Sequence, residues 1–243
     1  MFAHSLGHRI EEVRPSLVPL LSRSPLAKAL DGMKLKNVGV TLEIDSEAVC
    51  REFGEMEFGS RGIEGAVILR LRRMAVDALI DERQVAIVID MKAALTEEVL
   101  AASIDREIEP MCNAEAEGGH PFEAEAGELL RKLMPKPMVG PFDREVGIPA
   151  RTPLGLLGAS EKSAIIALLK NMRIPMADYG TFEQAVETAG GVSIEDSDPE
   201  TLQSRLVRGL YFAGEVLDID ADTGGYNLQV AFSTGWLAGQ LKG

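Results

Sequence analysis

"GLYFAGEVLDIDADTGGYN" (Gly209–Asn227) lies near the end of a 243-residue chain. An apolar run, Gly209–Ala213, stops at a glycine and an acid, Gly214 and Glu215. A polar loop follows, and Gly224–Gly225 then opens a helical, Ala/Gly-rich pattern from Tyr226 to Leu241. A strand that ends this way puts backbone amides and a carboxylate at the carboxyl edge of a sheet, where α/β proteins hold ligands. Glu215 suits sugar-like hydroxyls. The glycine pair admits positive φ and close approach to the backbone. The helix start at Gly225–Asn227 offers free N–H groups and a positive dipole end. The plainer alternative is a tight turn with a glycine-assisted helix start, and the pattern alone leaves both open.

Upstream of this stretch the strands come first. "RPSLVPL" (Arg14–Leu20) has two prolines and suits an extended edge segment. "LKNVGVTLEI" (Leu35–Ile44) alternates over its second half and is expected as a strand, as is Glu55–Phe58. Helical spacing runs from about Glu64 to Leu79, and "RQVAIVIDM" (Arg83–Met91) is a β-branched run typical of a buried strand. "GSRGIEG" (Gly59–Gly65) is either a phosphate-cradling turn or a glycine-lined crossover from strand to helix.

Helical signals dominate from Thr96 to Asn171. Thr96 with Glu97 and Glu98 forms an N-terminal cap signal. Asn113–Glu125 is expected as a loop, Glu125–Met134 as a helix ended by Pro135 and Pro137, and Gly140–Gly158 as a breaker-rich connection. Ser160 is expected to cap a helix over Glu161–Met172. Ile174–Ala177, Thr181–Thr188 (ending at Gly190–Gly191) and Gly209–Ala213 are expected as strands, with helical turns over Pro199–Leu206. This order lacks the regular alternation of a complete doubly wound domain. It suggests a β-rich module, a helical module and a short α/β remnant.

Composition narrows the function. The net charge of −13 repels phosphate backbones, so nucleic acid is not an expected partner. "LRLRRM" (Leu69–Met74) is the one candidate basic face, with the solvated side of a helix as the plain alternative. No apolar run approaches the roughly 18 residues that span a membrane. No signal peptide is read at the N-terminus, which favours the cytoplasm. Cys50 and Cys112 imply no disulfide framework. His4 and His8 have helical metal-ligand spacing but no further ligand cluster, and a frayed terminus is the expectation there; His120 is expected in a solvated loop. Asp218, Asp220 and Asp222 alternate as in some calcium loops but lack the trailing glutamate of that motif, so no metal site is expected. The common nucleotide, protease and hydrolase motifs are absent.

The tail "GLYFAGEVLDIDADTGGYNLQVAFSTGWLAG" resembles the C-terminal flavin-binding signature of a family of bacterial flavoproteins. These are NAD(P)/FAD-dependent oxidoreductases of the aminoacetone oxidase-like and bile-acid-reductase-like kind. "LGHRIEEVRPSLVPL", "LKNVGVTLEI", "GEMEF", "GIEGAVILRL", "LLRKLMPKPM" and "AVETAGGVSIEDSD" resemble the family's middle region in order and spacing. "GSRGIEGA" departs from the family's usual stretch, which weakens any substrate-facing role there. The resemblance implies an α+β chain made of a β-barrel-like insert domain and a small helical domain, with a strand–loop–helix remnant of a Rossmann-type FAD domain. Its boundaries would be 1–95 and 173–191 for the β-rich insert, 96–172 for the helical domain and 192–243 for the remnant.

It also implies FAD as cofactor and NAD(P)H as electron donor. Gly214 and Glu215 match the ribityl and pyrophosphate region, and Gly224, Gly225, Tyr226 and Asn227 match the turn and helix start beside the flavin ring. Asp218 falls in the connecting acidic loop. No catalytic residue is carried over. The family's glycine fingerprint is not found, so the first half of the flavin domain is expected to be missing and FAD binding by the chain alone to be weak or absent. The implied partner is a separate N-terminal flavin-domain chain; the alternative is a non-catalytic assembly module or homodimer.

Overall fold

The computed structural model describes residues 2–113 and 124–240. The chain opens with α1 (Phe2–Ser5), β1 (Ile10–Pro15), β2 (Leu20–Leu21) and α2 (Pro25–Ala29). Then come β3 (Lys34–Ile44), β4 (Glu47–Gly59), β5 (Gly62–Glu64), α3 (Ala66–Ile80) and β6 (Val85–Asp90). Four helices follow, α4 (Glu97–Asn113), α5 (Ala126–Leu133), α6 (Lys136–Val146) and α7 (Ala159–Lys170). The last elements are β7 (Met172–Met176), β8 (Asp178–Tyr179), β9 (Thr188–Val192) and α8 (Tyr226–Gly239). The expected loop at Asn113–Glu125, with His120, lies almost wholly outside the described residues.

The hairpin β3–β4 is the framework. Asp45 and Ser46 both take positive φ (53° and 69°), the twist a two-residue turn needs to match paired strands. The seven strands run β7-β6-β3-β4-β5-β2-β8, each antiparallel to its neighbour. The two outermost strands are consecutive in sequence. Ala177, between them, donates its N–H to the Leu21 carbonyl at 2.8 Å. The ribbon therefore curls back on itself into a barrel. All six residues of β6 are buried, as its unbroken apolar run predicts for a strand covered on both faces.

Helix α3 lays Val67, Ile68, Leu71, Ala75 and Val76 on the barrel. Helices α4 to α7 add Leu100, Ile104, Leu129, Leu133, Phe142, Ile165 and Leu169 to the same core. Thr96 Oγ1 accepts from the Val99 N–H at 3.3 Å, as expected of a cap. Pro135 and Pro137 do end α5, but they also start α6, where a proline in the first turn loses no helix hydrogen bond. So much of the expected connection at Gly140–Gly158 is helix. Helix α7 begins after Gly158 rather than Ser160 and stops at Lys170, because Met172 pairs with Ile89 in the barrel.

A second, smaller unit pairs β1 with β9. Strand β9 begins only at Thr188; the expected strand at Thr181–Thr188 is a single turn closed by a Thr181–Gln184 capping box. Gly190–Gly191 lies inside β9 and does not end it. At Gly190 (φ 87°) a Cβ would sit 2.1 Å from the Glu12 carbonyl oxygen, so the close approach of β1 demands glycine. Pro199–Leu206 forms a turn rather than helix. Asp198 Oδ1 accepts from the N–H groups of Glu200 and Thr201 and bends the chain locally.

Ala3, Val192, Phe212 and Leu217 form this unit's core. The N-terminus is anchored to it and not frayed. His8 is buried, its Nδ1 pairs with the Ala3 carbonyl at 3.0 Å, and its Nε2 pairs with Ser204 Oγ at 2.7 Å. With both ring nitrogens engaged and His4 exposed, the two do not form a metal pair. No described helix is long and apolar enough to cross a membrane.

Candidate functional site

The expected strand at Gly209–Ala213 is an extended segment held by a single bridge, Gln203 to Tyr211, and by the Phe212 N–H bonded to the Leu202 carbonyl at 3.1 Å. Phe212 turns inward against the edge of the His8 ring, centroids 4.9 Å apart. Burying Phe212 accounts for the apolar run without a ladder.

At Gly214 (φ 73°) the chain turns into one helical turn, Gly214–Val216. The Gly214 N–H donates to Thr234 Oγ1 on α8 at 2.9 Å, tying the corner to the helix. Glu215 reaches back to β9, where Oε1 accepts from the Thr188 N–H (2.9 Å) and Thr188 Oγ1 (3.0 Å). The Asp218 N–H donates to the Val192 carbonyl at 2.9 Å. Asn227, in the first turn of α8, accepts from the Ala221 N–H at 2.7 Å and donates to the carboxylate of Glu187.

Gly214, Glu215 and Asn227 thus meet along one cleft of about 220 Å³, walled by Glu187, Thr188 and Ala231. Asp218, Gly224, Gly225 and Tyr226 lie outside its lining. Gly224, Gly225 and Tyr226 are exposed at the mouth of α8. Gly225 is the N-cap in a left-handed conformation (φ 88°), with no side-chain cap, and a Cβ there would meet nothing within 4 Å. The helix thus starts without a side-chain cap, beside the open space at Gly225. That arrangement fits a flat, electron-accepting ring or a phosphate set against a helix end.

The residues that sequence reasoning missed are those that hold this corner from a distance. Thr188 and Glu187 precede the glycine pair of β9, and Thr234 lies a helix away. Arg72 is the clearest case. In "LRLRRM" Arg70 and Arg73 are exposed, as on the solvated side of a helix, and bond Glu52 and, through Arg73 Nη1 at 3.2 Å, the Asp220 carbonyl, whereas Arg72 is only 3% exposed. Burial pushes the Arg72 guanidinium below its ordinary pKa, while the carboxylates of Asp220, Glu187 and Asp222 act in the opposite direction. Asp220 has Oδ2 engaged by Ser16 Oγ at 2.6 Å. The glycines of Gly59–Gly65 build a tight hairpin turn and the start of α3, not a phosphate cradle.

The family described as HI0933-like protein Rossmann domain matches residues 1–241. That match covers nearly the whole chain and gives no support to the expectation that part of the family's domain is missing. The 3-dehydro-bile acid delta(4,6)-reductase of Clostridium scindens is 29% identical over 98% of this chain and 56% of its own length. The ribosomal RNA dihydrouridine synthases of Escherichia coli and Haemophilus influenzae are 26% and 25% identical, over 98% and 96% of this chain and 54% and 53% of theirs. The chain therefore spans about half the length of the curated relatives it matches.

Proposed function

Because the chain belongs to the HI0933-like Rossmann-domain family of flavoprotein oxidoreductases, we propose that it forms the C-terminal portion of an FAD-dependent oxidoreductase and supplies one side of the flavin site. The observation that carries this is the open N-terminus of α8 beside the Gly214–Glu215 corner. The division into 1–95, 96–172, 173–191 and 192–243 belongs to the same reading.

When bound, FAD supplies the hydride chemistry, with NAD(P)H as the electron donor. The chain's own residues bind and orient. On this reading the uncapped amides at Gly225–Asn227 would stabilise negative charge on the ring, and Gly214 and Glu215, with Asp218, would hold the ribityl and pyrophosphate end. A cleft of about 220 Å³ is smaller than the roughly 300–1,000 Å³ of a complete small-molecule site. It supports a partial site and weak binding by this chain alone. The relatives' names point to different substrates, a bile acid in one and ribosomal RNA in two, and we assign none; the net charge of −13 by itself weighs against nucleic acid as a partner of this chain.

The test is a titration of the isotope-labelled chain with FAD, followed by amide NMR. The expected result is weak binding with shifts at Gly214, Glu215 and Gly224–Asn227. Shifts elsewhere, or none, overturn the flavin reading, and a stoichiometric yellow complex overturns the weak-binding part.

A second reading is a non-catalytic assembly module that pairs with another chain or with itself. It is favoured by α8, which has no buried residue and leaves Tyr226, Leu228, Phe232 and Trp236 60–71% exposed. Sedimentation showing a clean monomer that stays monomeric at high concentration counts against self-association.

A further inference from the structure

We infer that Arg72, on the barrel helix α3, is a positioning residue for the turn that faces the flavin, an inference that rests on the flavin reading above. The two glycines before α8 take φ of 139° and 88°. Such a pair has no conformational preference strong enough to aim a helix start by itself. Something must fix the chain on either side. On the helix side Asn227 does so, by bonding both the N–H and the carbonyl of Ala221. On the loop side the anchor comes from the barrel. Arg72 Nη1 donates to Thr223 Oγ1 at 2.6 Å, and its Nε donates to the Ser16 carbonyl at 2.6 Å. Its other bond from Nη1 goes to the Leu69 carbonyl of its own helix, which also accepts from Thr223 Oγ1 at 3.3 Å.

Ser16 and Arg73 hold the next contact, Asp220, by its carboxylate and its carbonyl. So Asp220–Thr223 is clamped between the barrel and the first turn of α8. One planar guanidinium bonds three pieces at once, namely α3, the segment after β1 and the loop before the glycine pair. A lysine delivers one point charge and cannot span the same acceptors. Burying a cation costs solvation that a surface threonine–serine contact would avoid. The arrangement thus gives geometry that a cheaper contact would not. It makes the barrel, through Arg72, the part that sets where the helix end points.

The experiment uses the full chain and two variants, Arg72→Lys and Thr223→Val. The second removes the loop-side hydroxyl, and with it the 3.3 Å bond to the Leu69 carbonyl, and leaves the buried cation in place, so it reports even where Arg72→Lys fails to fold. Two readouts are taken: amide hydrogen exchange, and the FAD affinity obtained from shifts at Gly214 and Gly225–Asn227. Loss of one charged hydrogen bond predicts about tenfold faster exchange over Ala221–Asn227 and about tenfold weaker FAD binding in both variants. Exchange in β3 and β6 should stay unchanged. Failure of lysine to restore either readout separates the bridging fork from simple charge. Unchanged exchange in Thr223→Val, with FAD shifts intact, overturns this inference alone. Faster exchange with unchanged FAD affinity overturns it too, leaving a tether with no bearing on the site. No FAD-induced shift in the unsubstituted chain overturns the flavin reading, and this inference with it.

Discussion

The barrel with its helices and the tail unit are built from similar residues but are held together differently. In the first, strands, α3 and the helices α4 to α7 share one continuous core, with Leu42, Phe58, Ile87 and Leu169 fully buried. In the second, four buried residues form the core and the longest helix buries nothing. The tail keeps its shape through specific polar contacts instead: Glu215 on Thr188, Asn227 on Ala221, His8 on Ser204. A region that relies on burial tolerates exchange among its surface residues. A region that relies on individual hydrogen bonds is sensitive at each of them, and that is the condition of a site left open for a ligand or partner.

The largest expected effects lie in the barrel. Phe58→Ala should cost about 3–5 kcal/mol in urea unfolding, since Phe58 has no exposed surface. Phe232→Ala on α8 should stay within about 0.5 kcal/mol, since that ring is 71% exposed. A comparable loss at both positions would break the contrast. It would mean that the apolar face of α8 is covered in solution, which favours the assembly reading.

Gly190→Ala should come next, at roughly 3 kcal/mol. The added Cβ meets the Glu12 backbone in the β1–β9 ladder. Hydrogen exchange should rise in β1 and β9 and stay low in β3 and β6. His8→Ala should cost about 2 kcal/mol through two lost hydrogen bonds and a lost ring contact. Its effect should be confined to the segment around Ala3, Ser204 and Phe212. If either substitution lowers protection across the barrel as well, the two units unfold as one.

The two regions were also unequally legible in the sequence. Leu35–Ile44, Arg83–Met91 and Glu64–Leu79 carry strong periodicity, and each matches an element to within a few residues. The first half of β4 was missed because both its faces are largely exposed and "EAVCREFG" shows no apolar alternation. In the tail, local pattern misled. The run at Gly209–Ala213 looks like a strand because Phe212 must be apolar to fill a four-residue core, not because it joins a ladder. Of the expected site residues, Gly214, Glu215 and Asn227 converge on one cleft. Thr188 and Glu187, which bond Glu215 and Asn227, and Ser16 and Arg72, which brace the adjoining loop at Asp220 and Thr223, are distant in sequence and carry no motif. Contacts of that kind leave no spacing signature, and a buried arginine looks the same in sequence as a solvated one.

The smallest expected effects are acid-dependent, and they sharpen the same contrast. In the barrel, the bond from Arg83 and then the Gln84 N–H hold the Asp45 carboxyl below the usual carboxylate range. In the tail, the Glu200 N–H first, then Thr201 and Arg205, do the same for Asp198. Each group has a folded pKa below its unfolded one. Its stabilisation is therefore complete above the unfolded value and lost as pH falls through the lowered folded value. Both turns should weaken only in that acidic window, with no change between neutral pH and its upper edge. The consequences should differ. The Asp45–Ser46 turn joins two long strands that stay paired from Ile44–Glu47 to Lys34–Glu57 across two bulges, so its amides should shift without the hairpin opening. The Asp198 turn is backed by isolated bridges at Ser197–Ser204 and Gln203–Tyr211 and by loop hydrogen bonds rather than a continuous ladder, so exchange there should rise. Asp198→Asn and Asp45→Asn should each abolish the acid step at its own turn. Equal fraying at both turns in acid would show that the barrel hairpin depends on its local contacts as much as the tail does.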